Sequence, residues 1–175
     1  MADRMTPEQR RKTMSSIRAV SKLESIVASE LWRKGYRFRR NTRGMVGTPD
    51  ISIKKYKVVI FIDSCFWHQC PIHGNMPKSN VEFWQKKFTR NKERDKEVDQ
   101  YYEEKGWNIK RIWEHEVRKD LDKVMPLINK IIEVCNELLI YDASATANRR
   151  INVANFLNRY SRDLKTQDIH FFWSV

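Results

Sequence analysis

The chain is predicted to be an α/β protein with a central mixed β-sheet flanked by helices. Three observations predict it. Apolar residues recur at helical spacing between cap-like residues, Lys57 to Ile62 is a nearly continuous apolar run of the kind a strand covered on both faces carries, and the element order runs helix, three strands, helix, strand, helix. At 175 residues the chain suits one domain with a substantial core, plus a tail.

Taken in order, Pro7 to Ile17 reads as a short basic helix. Ser21-Lys22-Leu23-Glu24 is a capping-box sequence that starts a second, with Leu23, Ile26, Val27, Glu30 and Leu31 at helical spacing and Gly35 closing it. Glu24 shares a face with Val27, Ala28 and Leu31, where an acid serves either as the cap alone or also as a group near an active site. Tyr36 to Arg40 reads as a strand, Asn41 to Gly47 as a loop, Asp50 to Lys54 as a second strand and Lys57 to Ile62 as a third. Ser79-x-x-Glu82 is a capping signal for a long charged helix from about Asn80 to Glu104, ended by Gly106. Trp107 to Trp113 reads as a strand and Asp120 to Tyr141 as an amphipathic helix whose apolar face includes Val124, Ile128, Ile132 and the core cysteine Cys135. The division expected is a domain over residues 1–140, including the basic N-terminal segment, and a tail over 141–175 with a helix near Ile151 to Leu164.

Met1 to Met14 is polar and charged, without the apolar stretch of a secretion signal, and no run reaches the length of a membrane span. With three cysteines and no disulfide framework, the chain is expected in a reducing compartment, the cytoplasm of a prokaryote. The net charge is +12, and residues 1–44 hold twelve Lys or Arg against four Asp or Glu, so two thirds of the excess lies in the first quarter. This asymmetry, with six Trp, favours a nucleic-acid partner over a merely solvated face.

Cys65-Phe66-Trp67-His68-Gln69-Cys70-Pro71-Ile72-His73 concentrates the chain's scarce soft ligands. Structural Zn²⁺ takes four tetrahedral nitrogen or sulfur ligands, and Cys65, Cys70 and His73 with His115 folded back after the last strand supply such a set. The alternative is buried cysteines and surface histidines. His68 is then the odd histidine out, pointing away from Cys65 if the segment is extended.

Pro49-Asp50 opens one strand and Asp63 closes the next, which can bring two carboxylates to one sheet edge where a hard cation such as Mg²⁺ meets a phosphate. That is the logic of the restriction-endonuclease-like PD-(D/E)xK core, although Cys65 stands where its lysine is expected. The combination is more specific than its parts. Gly47-Thr48-Pro49-Asp50, the apolar strand, Asp63-Ser64-Cys65-Phe66-Trp67-His68, Glu82-Phe83-Trp84 and Asn91-Lys92-Glu93-Arg94-Asp95 closely resemble the very-short-patch (Vsr) mismatch repair endonucleases. Met14-Ser15-Ser16-Ile17-Arg18 and Ile112-Trp113-Glu114-His115 extend the likeness, which covers roughly residues 8–135.

The resemblance implies a Mg²⁺-dependent, strand-specific endonuclease that nicks double-stranded DNA beside the thymine of a T·G mismatch left by 5-methylcytosine deamination. It implies Asp50 as the Mg²⁺-binding aspartate, with the Ile62 carbonyl or the Asp63 carboxylate completing the protein's share. His68 corresponds to the catalytic histidine, Asp95 to the carboxylate that orients it, and Glu24 to an acid near the site; such a histidine moves protons at neutral pH. Cys65, Cys70, His73 and His115 fall on the family's structural zinc positions.

Ser64 departs from the family's usual glycine, and His73 and His115 stand where many relatives have cysteine; zinc accepts either ligand. Phe66, Trp67 and Trp84 match aromatics that wedge between base pairs, an action cheapest beside a weak T·G pair, with core packing as the other use of such rings. Met14 and Ile17, with Arg18 beside them, are either minor-groove contacts or helix packing. A monomer acting alongside mismatch-repair proteins is expected. The alternatives are a restriction-type nuclease that cuts matched DNA and a zinc-stabilised DNA-binding module without catalysis.

Overall fold

The computed structural model describes residues 6–16 and 21–143. Ile17, Arg18 and the expected helix near residues 151–164 lie outside them, and Met14 is placed only as a residue of the first helix. The elements are α1 (Pro7–Ser16), α2 (Lys22–Arg33), β1 (Arg39–Arg40), β2 (Ile51–Ile53), a 3₁₀ turn (Lys54–Tyr56), β3 (Val58–Asp63), α3 (Val81–Glu104), β4 (Asn108–Trp113), α4 (Glu114–Lys119) and α5 (Leu121–Ala143). The chain divides into two compact units, Met1–Ile132 and Glu133–Val175. The first contains the sheet; of the second, the described part is the last turns of α5, where Val134 and Cys135 are buried.

The sheet is mixed, as expected, in the order β1-β2-β3-β4. β2 and β3 are antiparallel with Ile51 opposite Ile60, and β3 and β4 are parallel with Phe61 opposite Arg111 and Asp63 opposite Trp113. A parallel pair needs a crossover, and α3 supplies it. β3 is buried on both faces, as its apolar run predicts. One face is closed by α3: Val59 and Phe61 of the strand pack with Val98 and Tyr102 of the helix, and the Tyr102 hydroxyl donates to the Val46 carbonyl at 2.8 Å. Gly47 lets the loop before β2 pass over this layer. Its φ is +72°, and a Cβ there would stand 2.8 Å from a Val98 methyl.

α2 starts on the expected capping box. The Glu24 amide donates to Ser21 Oγ at 3.1 Å and the Ser21 amide to Glu24 Oε1 at 2.9 Å. Three expectations need correction. The strand read over Tyr36 to Arg40 shrinks to Arg39–Arg40, because the residues before it fold back on α2: the Tyr36 amide bonds the Leu31 carbonyl, Arg37 stacks over the Trp32 ring and Phe38 meets that ring edge-on. Ser79 does not cap α3. Asn80 is the cap residue in a left-handed conformation (φ +53°) without a side-chain bond, and the helix begins at Val81. The third is an element missed altogether, α4, six residues whose start is held by Trp113 donating its amide to the Glu116 carboxylate at 2.7 Å.

Candidate active site

β2 and β3 deliver the two aspartates to the same end of the sheet. Asp50 precedes β2, and its Oδ2 accepts the Ile62 amide of β3 at 2.7 Å. In a strand the amide and carbonyl of one residue point to the same side, so the Ile62 carbonyl also faces the Asp50 side. Burial, with help from Glu24 and Asp63 against the Ile62 hydrogen bond, pushes the Asp50 carboxyl up to about 6 from 3.8. The Asp50 carboxyl therefore keeps its proton to higher pH than an exposed aspartate, chiefly because it is buried.

Beyond β3 the chain turns rather than extends: His68 donates its amide to the Ser64 carbonyl at 3.1 Å and Cys70 to the Cys65 carbonyl at 2.9 Å. His68 meets the cleft while Cys65 and Cys70 meet His73 and His115, on a segment that turns and so does not have the strand alternation expected of it. Its Nδ1 lies 2.5 Å from Asp95 Oδ2 of α3 and 3.9 Å from Asp63 Oδ1. Asp50, Ile62, Asp63, His68 and Asp95 line one cleft, together with Arg94 and Arg111.

Arg111 has no counterpart among the sequence expectations. It lies opposite Phe61 on β4, over whose ring its guanidinium stacks at 4.8 Å. Phe61 and Asp63 alternate onto the same face, where α3 presents Asp95 and Asp99 one turn apart. Arg111 Nη1 donates to both oxygens of Asp63 at 3.0 and 3.1 Å, Nε donates to Asp99 at 2.8 Å and Nη2 to the Asp95 carbonyl at 3.3 Å. Burial works against its charge, yet Asp63, Asp99 and Asp95 raise its pKa above the ordinary arginine value. A second unforeseen residue is Asn41, whose amide bonds the Asp50 carbonyl at 3.1 Å while its Nδ2 donates to Glu24 Oε2 at 3.2 Å. Glu24 thus serves its helix cap and, through Asn41, abuts the Asp50 strand.

On the other side of the turn, one ligand atom from each of Cys65, Cys70, His73 and His115 lies within 4.8 Å of all the others. His115 Nδ1 is 3.1 Å from Cys65 Sγ and 3.6 Å from Cys70 Sγ, and His73 Nδ1 is 3.9 Å from Cys70 Sγ. Bonds of about 2.0 Å to nitrogen and 2.3 Å to sulfur in a tetrahedron separate ligands by roughly 3.5 Å, so the residues fit a zinc ion. Burial pushes the Cys65 thiol upward and Cys70 adds to the rise, a cost that a cation taking both thiolates would remove.

The aromatics form a third feature beside the cleft. Phe66 is half-buried at the centre of a cluster with Trp67, Trp84 and Phe88 at centroid distances of 5.0 to 5.5 Å. Phe88 is 3% exposed, whereas Trp67 is 41% exposed. The Lys87 ammonium sits 4.9 Å from the Trp67 ring, on a face of α3 that also carries Lys86, Arg90 and Arg94. Asn91 donates to the Trp67 carbonyl at 2.9 Å, holding the exposed ring's backbone to α3.

Residues 2–73 match the family model described as DNA mismatch endonuclease Vsr. The chain is similar to the type II nicking enzyme V.HpaIIP of Haemophilus parainfluenzae, 44% identical over 134 residues that cover 74% of this chain and 95% of that protein. The type II nicking enzyme V.NmeDIP of Neisseria meningitidis serogroup C is 41% identical over 67% of this chain and 82% of its own length. The DNA mismatch endonuclease Vsr of Escherichia coli K12 is 34% identical over 67% of this chain and 77% of its own length. The chain belongs to the Vsr family of DNA endonucleases.

In this Vsr-family fold, Asp50, Asp63, His68 and Asp95, expected to act together, do share one cleft, and the Cys/His set stands apart from it. Glu24 does not line the cleft; its carboxylate acts on Asp50 through its charge and is tied to the Asp50 backbone by Asn41. Arg111 was missed because a charged residue within a strand gives no local signal; its meaning comes from what lies opposite it in the sheet. No helix among the described residues is long and apolar enough to cross a membrane.

Proposed function

We propose that this protein is a Mg²⁺-dependent DNA endonuclease that nicks one strand beside the thymine of a T·G mismatch. The single observation that carries the reading is the His68–Asp95 pair at 2.5 Å, placed in the same cleft as Asp50. A histidine fixed through Nδ1 offers Nε2 for proton transfer, and a non-catalytic DNA-binding module has no use for that arrangement beside a strand-end aspartate.

Asp50 and the Ile62 carbonyl are the residues that would hold Mg²⁺, an oxygen-only donor pair suited to a hard cation. When bound, the ion supplies charge neutralisation at the scissile phosphate and makes water a better nucleophile. His68 takes a proton from the attacking water or gives one to the leaving oxygen, and Asp95 holds the imidazole in the tautomer this needs. Cys65, Cys70, His73 and His115 would hold a structural Zn²⁺ that ties the turn carrying His68 to the start of α4. Held by four protein ligands, such an ion would brace the turn and would leave no position open for chemistry.

Mismatch recognition is supported by the exposed Trp67 ring over the half-buried Phe66 and Trp84, flanked by the basic face of α3. A T·G wobble stacks less well than a matched pair, so an aromatic inserted beside it meets less resistance. The names of the relatives agree with nicking. The test is one assay of nicking on T·G and matched duplexes of the same sequence, with and without Mg²⁺, for the wild type and Asp50→Ala. Cleavage is expected only of the T·G duplex, in one strand, with Mg²⁺ and Asp50 both present. Equal cleavage of the matched duplex would make this a restriction-type nuclease, and undiminished cleavage by Asp50→Ala would remove the site assignment.

A further inference from the structure

We propose that Arg111 is a positioning residue of the catalytic cleft, which locks Asp63 and Asp95 in place and withholds Asp63 from the divalent cation. The cation's protein ligands are then Asp50 and the Ile62 carbonyl alone. The inference rests on the Mg²⁺ reading above and goes beyond it by assigning Asp63.

Three carboxylates converge on this one guanidinium, those of Asp63 and Asp95 in the cleft wall and that of Asp99 one turn further along α3. Asp63 is 6% exposed, and a carboxylate so far from water needs a partner that stays charged. Arginine is such a partner at any working pH. Arg111 commits all three of its nitrogens: Nη1 to both Asp63 oxygens, Nε to Asp99, and Nη2 to the Asp95 carbonyl with Asp95 Oδ1 at 3.5 Å. Stacking on Phe61 fixes the plane in which those nitrogens lie. With Asp95 Oδ1 facing Arg111, Oδ2 is the oxygen presented to His68. The cation that answers Asp63 therefore stands on β4, not at the residue two beyond Asp63, where Cys65 serves the other cluster.

Among the described residues no cationic side chain is hydrogen-bonded to Asp50, whose Oδ2 accepts the Ile62 amide. The two aspartates at this sheet edge are thus unequal: one is neutralised by an arginine, the other is left for an ion. Without the guanidinium, Asp63 would add an unpaired anion to the cleft and draw a divalent cation to itself.

The experiment measures Mn²⁺ binding to the zinc-replete full chain by electron paramagnetic resonance of the free ion, alongside nicking kinetics. Asp63→Asn is expected to hold Mn²⁺ within about threefold of the wild type, while Asp50→Asn loses at least about tenfold. Arg111→Met should bind Mn²⁺ several-fold more tightly, and the gain should vanish in Arg111→Met/Asp63→Asn. Arg111→Met should also lower kcat by about tenfold or more with KM nearly unchanged, and Arg111→Lys should keep wild-type Mn²⁺ affinity while restoring part of kcat. Asp63→Asn weakening Mn²⁺ as much as Asp50→Asn would overturn the proposal, and it decides the matter even if Arg111→Met fails to fold. Unchanged Mn²⁺ affinity and kcat in a folded Arg111→Met would overturn it too. A wild type that binds no Mn²⁺ would defeat the Mg²⁺ reading itself, a result distinct from either of these.

Discussion

His68 and Asp95 are 27 residues apart in the chain and 2.5 Å apart at Nδ1 and Oδ2. The imidazole comes from the turn after β3 and the carboxylate from the middle of α3, so their meeting depends on the crossover helix lying against that end of the sheet. Asp95→Asn keeps the shape and removes the acceptor that selects the tautomer. Its kcat should fall by about 10²- to 10³-fold with little change in KM, and His68→Ala should fall at least as far. A double variant no slower than His68→Ala would identify the pair as one unit, whereas multiplicative losses would mean that Asp95 acts on its own.

Asp50 gives the metal-free protein a pH signature. Its carboxyl is raised to about 6 in the folded protein against 3.8 as the ordinary value, so the folded state holds the proton more tightly than the unfolded chain. That contribution favours folding below pH about 4 and is lost as pH rises through about 6, an effect on the order of 2–3 kcal/mol. Asp50→Asn should therefore melt above the wild type at pH 8 without divalent ions, with the gap closing towards pH 4. Added Mg²⁺ should narrow it by stabilising only the wild type. Identical melting at pH 8 would remove this account of the raised carboxyl.

The Cys/His cluster predicts one equivalent of zinc per chain. Cys70→Ser or prolonged treatment with a strong chelator should release it and lower Tm by more than 10 °C, on the order of a structural metal's contribution. His73→Cys should keep the zinc, because thiolate and imidazole both satisfy the tetrahedron. Elemental analysis with thermal melts reads both outcomes.

Trp67 and Phe88 belong to the same aromatic cluster but differ in exposure, 41% against 3%. Trp67→Ala should leave Tm within a few degrees of the wild type and weaken discrimination of T·G from matched DNA by about tenfold or more. Phe88→Ala should instead destabilise the fold by about 3–5 kcal/mol. Binding curves on the two duplexes and denaturant titrations separate the two effects.

The loop that places Asp50 rests on Gly47. Alanine there meets both a positive φ and a Val98 methyl 2.8 Å from the new Cβ, so Gly47→Ala should cost about 2–3 kcal/mol. Val98→Ala in the same chain should recover part of it, measured by urea unfolding of the single and double variants.

Much of this site was legible in the chain because its members are rare residue types in short, ordered motifs. Cys65 to His73 holds two of the three cysteines and two of the four histidines, and the apolar run before it marks a buried strand that must end where Asp63 stands. The capping box of α2 and the glycine after α3 were equally local. Strand length over Tyr36 to Arg40 was not, because whether those residues pair or fold back on Trp32 is decided by tertiary packing. Nor was the start of α3, where a left-handed Asn80 overrode a good capping signal at Ser79.

By itself the sequence determined most of the element order, the basic surplus and the clustering of cysteine and histidine, which are written in composition and spacing along the chain, while its likeness to the Vsr family named Asp50, His68 and Asp95 as candidates. Only the tertiary structure decided that Asp63 answers to Arg111 and that Asn41 ties Glu24 to the Asp50 backbone. The first follows from which residues stand opposite one another across β3, β4 and α3, the second from how α2 meets the loop after β1. Such pairings join positions tens of residues apart, and no local pattern of side chains encodes them.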